Sequence, residues 1–202
     1  MVATKLRFEE GSYEGEVVQD KIPQGEGTFE FRGDDKNGRL IYEGGWQNKA
    51  AHGYGVMRWQ NGDRYEGDWK DGLRHGKGKY ISKSSGGVYE GEYQNDLKSG
   101  EGKYSFSNGD WYSGGWKDGL RHGTGTYVWK EKNEKYDGAW EKGLKEGEGK
   151  FTYPNGDVFT GIYKNGNRQG TGTLVKSDGE ERSENYKDGE LVNFTVTKEK
   201  SA

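Results

Sequence analysis

A short phrase of the form Tyr-x-Gly-x-Trp/Tyr returns along nearly the whole chain at almost constant spacing. Its copies begin at Tyr13, Tyr42, Tyr65, Tyr89, Tyr112, Tyr136 and Phe159, and a degenerate copy begins at Arg182. The successive intervals are 29, 23, 24, 23, 24, 23 and 23 residues, and a Gly-x-Gly pair follows each full copy. A fixed period of this length indicates a repeat architecture in which each unit packs against its neighbours.

The repeated unit predicts a β-hairpin. Its length is below the roughly 33 residues of a helix pair, but suits two strands of five or six residues and two turns. In the third copy Tyr65, Gly67 and Trp69 alternate with charged residues, so one strand face is aromatic and glycine and the other is charged. Asp71-Gly72 and the recurring Asn-Gly-Asp links are typical of hairpin turns.

The recurring glycines indicate how such a sheet is stabilised. Glycine weakens a strand, so we expect a Trp or Tyr ring from an adjacent strand to cover each one. A ring buries ~150–250 Å², which would make a thin sheet stable. The sequence predicts an all-β fold of tandem antiparallel hairpins, forming an elongated, twisted single-layer sheet with an aromatic- and glycine-lined groove. We expect an N-terminal arm at 1–12, about seven hairpins at 13–179, and a degenerate capping repeat with a tail at 180–202.

Composition limits the classes of function open to the chain. Only 28% of residues are hydrophobic, but 7 Trp, 14 Tyr and a net charge of −3 favour an aromatic core over disorder. The absence of Cys excludes disulfides and thiol catalysis. The balance of 31 basic and 34 acidic residues argues against a nucleic-acid partner. Without a signal-peptide core or an apolar run of ~20 residues, we expect a cytoplasmic protein.

The sequence indicates neither a catalytic centre nor a metal or cofactor site. His52, His75 and His122 share one register, but one hairpin separates the first two by roughly 9–10 Å, too far to share a zinc ion. The Gly-x-Gly pairs lack the helix and the Gly-Lys-Ser/Thr ending of a phosphate loop. Carboxylates such as Glu43 and Glu66 recur on the charged face, where no desolvated acid–base pair is indicated.

The second aromatic residue of each copy is the candidate partner site. A one-layer sheet cannot bury both sides of every ring, so some rings should line an open groove, and exposed aromatic strips mark interfaces. The predicted groove residues are Trp46, Trp69, Tyr93, Trp116, Trp140 and Tyr163. The basic residues Lys70, Arg74, Lys77 and Lys79 would instead contact lipid phosphates if the protein bound a membrane.

The third copy resembles a MORN (membrane occupation and recognition nexus) repeat through Tyr65 to Trp69, Gly72, and His75 to Gly78. The resemblance extends over about residues 13–179, although Val17 stands where the first copy should have an aromatic residue. It implies a curved or twisted ribbon of hairpins with an aromatic groove. MORN arrays occur in ciliary and cytoskeletal scaffolds, in membrane-junction proteins and as appendages to kinases and methyltransferases.

The extent of the array favours the scaffold group. The segment Lys135 to Gly143, followed by Glu146-Gly147, is similar in layout to the MORN proteins of axonemal radial spoke heads. This resemblance implies a non-enzymatic structural subunit of a cytoskeletal assembly in a cilium or flagellum, with other protein subunits as partners. A phosphoinositide-binding peripheral membrane adaptor and a motor-protein cargo adaptor stay open as alternatives, and so does a homodimer.

Overall fold

The computed structural model describes residues 3–200, apart from the side chain of Asp20, as strands joined by turns, with one 3-10 turn at Gln19–Lys21. Two compact units divide the chain, Met1–Gly100 and Glu101–Ala202. The first unit contains β1 (Thr4–Arg7), β2 (Gly11–Val18), β3 (Ile22–Phe31), β4 (Arg39–Gln47), β5 (Ala50–Trp59), β6 (Arg64–Lys70), β7 (Leu73–Ile81) and β8 (Val88–Gln94). Strand β9 (Leu97–Ser105) leads into the second unit, which contains β10 (Trp111–Lys117), β11 (Leu120–Trp129), β12 (Glu134–Glu141), β13 (Leu144–Thr152), β14 (Val158–Lys164), β15 (Asn167–Val175), β16 (Glu181–Lys187) and β17 (Glu190–Lys198).

Within each unit, every strand pairs antiparallel with the next strand in the sequence. In hairpin β6–β7, Tyr65 lies opposite Tyr80, Gly67 opposite Gly78, and Trp69 opposite Arg74. The predicted fold class of tandem antiparallel hairpins is confirmed. Apart from β1, the strands have seven to ten residues instead of five or six. They are longer because a bulge after Gly67 and its equivalents lets the ladder continue to the turn.

The backbone of the hairpin turns follows from their residues. Asp71 and Gly72 have φ angles of 52° and 83°, the positive values that a two-residue type I′ turn requires at both positions. Asn95 and Asp96, at 50° and 70°, adopt this conformation without glycine, since Asn and Asp tolerate positive φ better than most side chains do. The turn chemistry predicted for Asp71-Gly72 is therefore confirmed, and in the first Asn-Gly-Asp link the glycine, Gly62, has a positive φ of 85°.

The core of each unit is a continuous stack of aromatic rings. Tyr65 packs edge-on against Trp69 of its own hairpin and against Tyr93 of the next, with ring centroids 5.2 Å apart in both pairs. Its hydroxyl donates a hydrogen bond to the Asp68 carbonyl at 3.0 Å, which satisfies a polar group inside the stack. The fully buried rings are those that begin each copy: Tyr13, Tyr42, Tyr65, Tyr89, Tyr112, Tyr136 and Phe159.

The glycines leave room for these rings. A Cβ atom on Gly78 would lie 2.2 Å from the Tyr65 hydroxyl, and one on Gly67 would lie 2.4 Å from the Gly78 Cα. The second glycine of the pair therefore lies directly beneath the tyrosine of its own hairpin. The first, Gly76, has a positive φ of 59° and lies opposite Tyr93. The expectation that a ring covers each glycine is confirmed for Gly78, where it is the ring that begins the copy, but a Cβ on Gly76 would meet Asp68 instead.

Both chain ends carry strands that depart from the strict repeat. β1 pairs with β2, placing Thr4 opposite Gly15. In the last hairpin, β16–β17, Glu184 takes the place of the glycine in the repeated phrase and is buried. The Tyr186 hydroxyl donates a hydrogen bond to its carboxylate at 2.7 Å. The degenerate copy is thus a complete hairpin in which a hydrogen-bonded carboxylate replaces a glycine.

Candidate binding face

The six predicted groove residues lie on the sheet face that carries Tyr65, Trp69 and their equivalents, which we call the ring face. Five of them are buried, with exposed fractions of 8% for Trp46, 6% for Trp69, 4% for Tyr93, 4% for Trp140 and 3% for Tyr163, whereas Trp116 is partly exposed. The structure places three in each unit, on consecutive hairpins. Tyrosines of adjacent hairpins enclose these rings, so the rings contribute mainly to the core. Partner binding through them stays a prediction.

Cationic side chains cover the rings in most hairpins. They stand in one register, five residues after the second aromatic residue of the copy: Arg74, Lys98, Arg121, Lys145 and Arg168. The guanidinium carbon of Arg121 lies 4.3 Å from the Trp140 ring centroid, and the ammonium of Lys145 lies 4.8 Å from that of Trp129. Such cation–π contacts are attractive because the ring faces are electron-rich. Our sequence interpretation named only Arg74 among them, although the recurrence was visible.

The cation cover is missing over Trp46, in hairpin β4–β5. Ala51 lies opposite Trp46, in the position that Arg74 takes opposite Trp69. The preceding hairpin has Pro23 in this register, opposite Val17. A cavity of about 750 Å³ opens on this part of the ring face. Its aromatic lining consists of Phe8, Phe29, Phe31, Tyr42, Trp46, Trp59 and Trp69.

Both arginines that line this cavity are paired with carboxylates. Arg39 stacks on Phe31, with its guanidinium carbon 4.1 Å from the ring centroid, and pairs with Asp35 at 2.7 Å. The hydrogen bonds from Arg39 hold the pKa of the Asp35 carboxyl below its usual value. Arg74 pairs with Asp96 at 2.9 Å. The cavity is therefore an aromatic recess with paired charges, suited to an apolar group.

In the second unit the ring face is covered instead by Arg121, Lys145 and Arg168, which we call the cation row. Arg121 donates a hydrogen bond to the Gly143 carbonyl at 2.8 Å, and Arg168 donates one to the Tyr186 hydroxyl at 3.0 Å. Burial, and then the positive charge of Arg168, lower the pKa of Lys145 to about 8. The row is therefore a set of half-buried cations held among rings.

The buried lysines and tyrosines of the ring face should make the stability of the protein depend on pH in an unusual way. Burial lowers the pKa of Lys98 and Lys145 to about 8, whereas an unfolded lysine titrates near 10.4. Burial raises the pKa of Tyr112 to about 12, against about 10 when unfolded. The buried lysine ammonium groups destabilise the folded state fully below pH 8, and this destabilisation is relieved as the pH rises to about 10. The buried neutral tyrosine stabilises the folded state below pH 10, and this stabilisation is lost as the pH rises towards 12.

We therefore expect the free energy of unfolding to rise between pH 8 and 10 and to fall above pH 10. Urea denaturation at unit steps of pH from 7 to 11 measures this profile. The Lys98→Met/Lys145→Met variant should lose the rise and keep the fall. A wild-type profile that is flat between pH 8 and 10 would contradict the assignment of the two desolvated lysines.

Neither a cluster of metal ligands nor a membrane-spanning helix occurs among residues 3–200. No three His, Cys, Asp or Glu side chains among them converge so that they could hold a metal ion. Over the same residues, no helix has the length and apolarity needed to cross a membrane. His52 and His75 each bury Nδ1 without a hydrogen-bond partner in this part of the chain.

Tandem hairpins, a ring core and glycines beneath tyrosines define a β-hairpin repeat protein. The MORN repeat family matches this sequence at residues 42–64, 65–86, 89–111, 112–133, 136–158 and 159–181. The chain belongs to the MORN-repeat family. This is a non-enzymatic type of repeat that typically mediates interactions with proteins or membranes. The matched segments begin at Tyr42, so they leave out the first copy with its Val17.

Solved structures are similar to this one at low sequence identity. The SAS-4 TCP domain of Drosophila melanogaster, in complex with a proline-rich motif of Ana2, is 13% identical, with a TM-score of 0.50 over 92% of this chain and 90% of that chain. The TCP10 domain of Danio rerio CPAP is also 13% identical, with a TM-score of 0.43 over 95% of this chain and 99% of that one. No curated protein matches the sequence.

Proposed function

We propose that this protein is a non-catalytic scaffold that binds other proteins through its ring face. The observation that carries the proposal is the aromatic cavity over Trp46, where Pro23 and Ala51 stand in the register that a ring-covering cation occupies in later hairpins. Its volume of about 750 Å³ lies within the roughly 300–1,000 Å³ of typical binding pockets. Aromatic recesses of this kind accept the anchoring side chains that dominate the affinity of protein interfaces.

The charges around the cavity favour a protein segment over a lipid headgroup. Arg39 and Arg74 are paired with Asp35 and Asp96, and Glu10 and Lys49 add one charge of each sign to the lining. An anionic phosphate would have to displace these carboxylates, whereas an apolar side chain leaves the pairs intact. The SAS-4 TCP domain, which has a similar fold, is in complex with a proline-rich motif. A protein segment as occupant agrees with that complex.

In its narrower form, the proposal makes the protein a structural subunit of a cytoskeletal assembly, the radial spoke head of a ciliary or flagellar axoneme. Its partners would then be other subunits of that assembly, and its location the axoneme. The support is the extent of the hairpin array and the layout of Lys135 to Gly143, which is similar to that of spoke-head MORN proteins.

An Ala51→Arg variant tests the cavity. The new side chain should lie over Tyr42 and Trp69, as Arg74 lies over Tyr65 and Tyr93, so it closes the cavity in a conformation that the fold already uses. Tyr54→Arg is the matched control because Tyr54 is on the same strand and is 57% exposed. Tagged wild-type and variant proteins are expressed in the source cells, and each is followed through detergent and then high-salt extraction of whole cells and isolated cilia.

We expect the wild type and Tyr54→Arg to stay in the detergent-insoluble fraction and Ala51→Arg to become soluble. Loss of the wild-type protein from axonemes of mutants without radial spokes would support the narrower form. If Ala51→Arg is retained as well as the wild type, the cavity is not the binding site. Release of the wild type together with membranes by detergent would overturn the proposal in favour of a phosphoinositide adaptor.

A further inference from the structure

The cation row of the second unit has no carboxylate partner in the part of the chain that the structure describes. Within residues 3–200, no carboxylate forms a salt bridge of 4.0 Å or less with Arg121, Lys145 or Arg168. The corresponding residue of the first unit, Arg74, pairs with Asp96 at 2.9 Å. The positive charges of the cation row are therefore not neutralised by a carboxylate in the way that Asp96 neutralises Arg74.

The unneutralised charges act on one another. Apart from burial, the positive charges of Arg168 and Arg121 both lower the pKa of Lys145, and Glu134 is the one acidic group that acts in the opposite direction. Half-buried like charges repel each other more strongly than they would in water, because the surrounding dielectric is lower. An anionic partner would relieve this repulsion, so the row favours the binding of a negatively charged ligand.

The spacing of the row restricts the shape of that ligand. Consecutive members are one hairpin apart, and two strands at ~4.8 Å each give a step of roughly 9–10 Å. Three residues of a polyproline II segment rise about 9.3 Å and complete one turn, so every third side chain lies on the same side of the segment. Acidic side chains at every third position of a polyproline II segment therefore match the row.

The rings around the row supply the apolar part of the contact. Trp129, Phe151 and Tyr153 are only partly buried and pack beside the cations, and the partly buried Leu174 packs against the same core. Side chains between the acidic positions of an extended segment would lie against them. We infer that the cation row binds an acidic, partly apolar segment of a partner protein, with successive carboxylates on Arg121, Lys145 and Arg168.

Other polyanions fit the row less well. A nucleic-acid strand carries a phosphate about every 3.4 Å, which gives about three phosphates for each cation and leaves most of them without a partner. A bilayer presents its phosphates in a plane, whereas these cations are recessed among rings. Carboxylates on separate, flexible side chains can reach each recessed cation individually. The inference rests on the proposed protein-binding function and adds the chemistry of one binding segment.

The probe is a fluorescein-labelled peptide of five Glu-Pro-Leu triplets, which places its Glu side chains on one side of a polyproline II helix. Fluorescence anisotropy measures its affinity for the full-length protein over a salt series. We expect binding that weakens as salt rises, and at least tenfold weaker binding of the peptide with Gln in place of Glu. Lys145→Met should weaken binding of the Glu peptide at least fivefold. Lys150→Met, an exposed position on the same strand, should leave it unchanged.

Circular dichroism melts check that both variants keep the wild-type fold. Equal binding of the Glu and Gln peptides would overturn the acidic specificity while leaving the protein-binding function intact. An equal loss in Lys150→Met would overturn the assignment to the cation row. If neither peptide binds, but phosphatidylserine vesicles or single-stranded RNA bind and lose affinity in Lys145→Met, the row recognises a different polyanion and the inference fails. Vesicle binding of that kind would also contradict the protein-binding function of this unit.

Discussion

Tyr65→Ala is expected to lower the free energy of unfolding by about 3–5 kcal/mol, the usual cost of removing a fully buried aromatic ring. Tyr65 has no exposed surface, packs against Trp69 and Tyr93, and covers Gly78. In a single-layer sheet there is no second layer to fill the space that the ring leaves. Urea denaturation measures the loss, with tryptophan fluorescence and far-ultraviolet circular dichroism as probes whose transitions must coincide before they are converted to free energies.

Two further variants separate the contributions of Tyr65. Tyr65→Phe keeps the ring and removes only the hydrogen bond to the Asp68 carbonyl, so we expect a loss of about 1 kcal/mol. Tyr54→Ala removes a tyrosine that is 57% exposed, and its effect should stay within about 0.5 kcal/mol. If Tyr54→Ala were as damaging as Tyr65→Ala, the ring stack would not be the principal core of this unit.

Gly78→Ala is expected to destabilise the protein by about 3 kcal/mol, at the upper end of the usual cost of overpacking. The new methyl group would lie 2.2–2.5 Å from Tyr65 atoms, and that ring is enclosed by its neighbours. Gly33→Ala is the matched control because a Cβ there meets no atom within 4 Å. Its effect on the urea midpoint should be negligible.

The ring and the glycine should also be coupled. In the Tyr65→Ala/Gly78→Ala double variant the added methyl group no longer meets a ring. The combined loss should therefore fall short of the sum of the single losses by at least about 1 kcal/mol, as expected for residues in direct contact. Additive losses would mean that the backbone conformation, and not the ring above it, requires glycine at position 78.

Local sequence patterns predicted one part of the candidate site and missed another. Alternation along β6 correctly places Tyr65, Gly67 and Trp69 on one face, because successive side chains of a strand point to opposite sides. The sequence interpretation grouped Arg74 with Lys77 and Lys79 as basic residues that would contact lipid phosphates, and assigned Arg74 to neither face. The bulge in hairpin β6–β7 brings Arg74 opposite Trp69, on the ring face.

By itself, the sequence determined the hairpin period, the turns and the two faces of the strands. These follow from local rules: positive φ at Asp-Gly and Asn-Gly, and the two-residue alternation of a strand. Only the tertiary structure decided which rings are enclosed, which cations cover them, and where the cover fails. Those outcomes depend on contacts between neighbouring hairpins, such as Tyr65 with Tyr93, which are 28 residues apart, and on the single small side chain of Ala51 opposite Trp46.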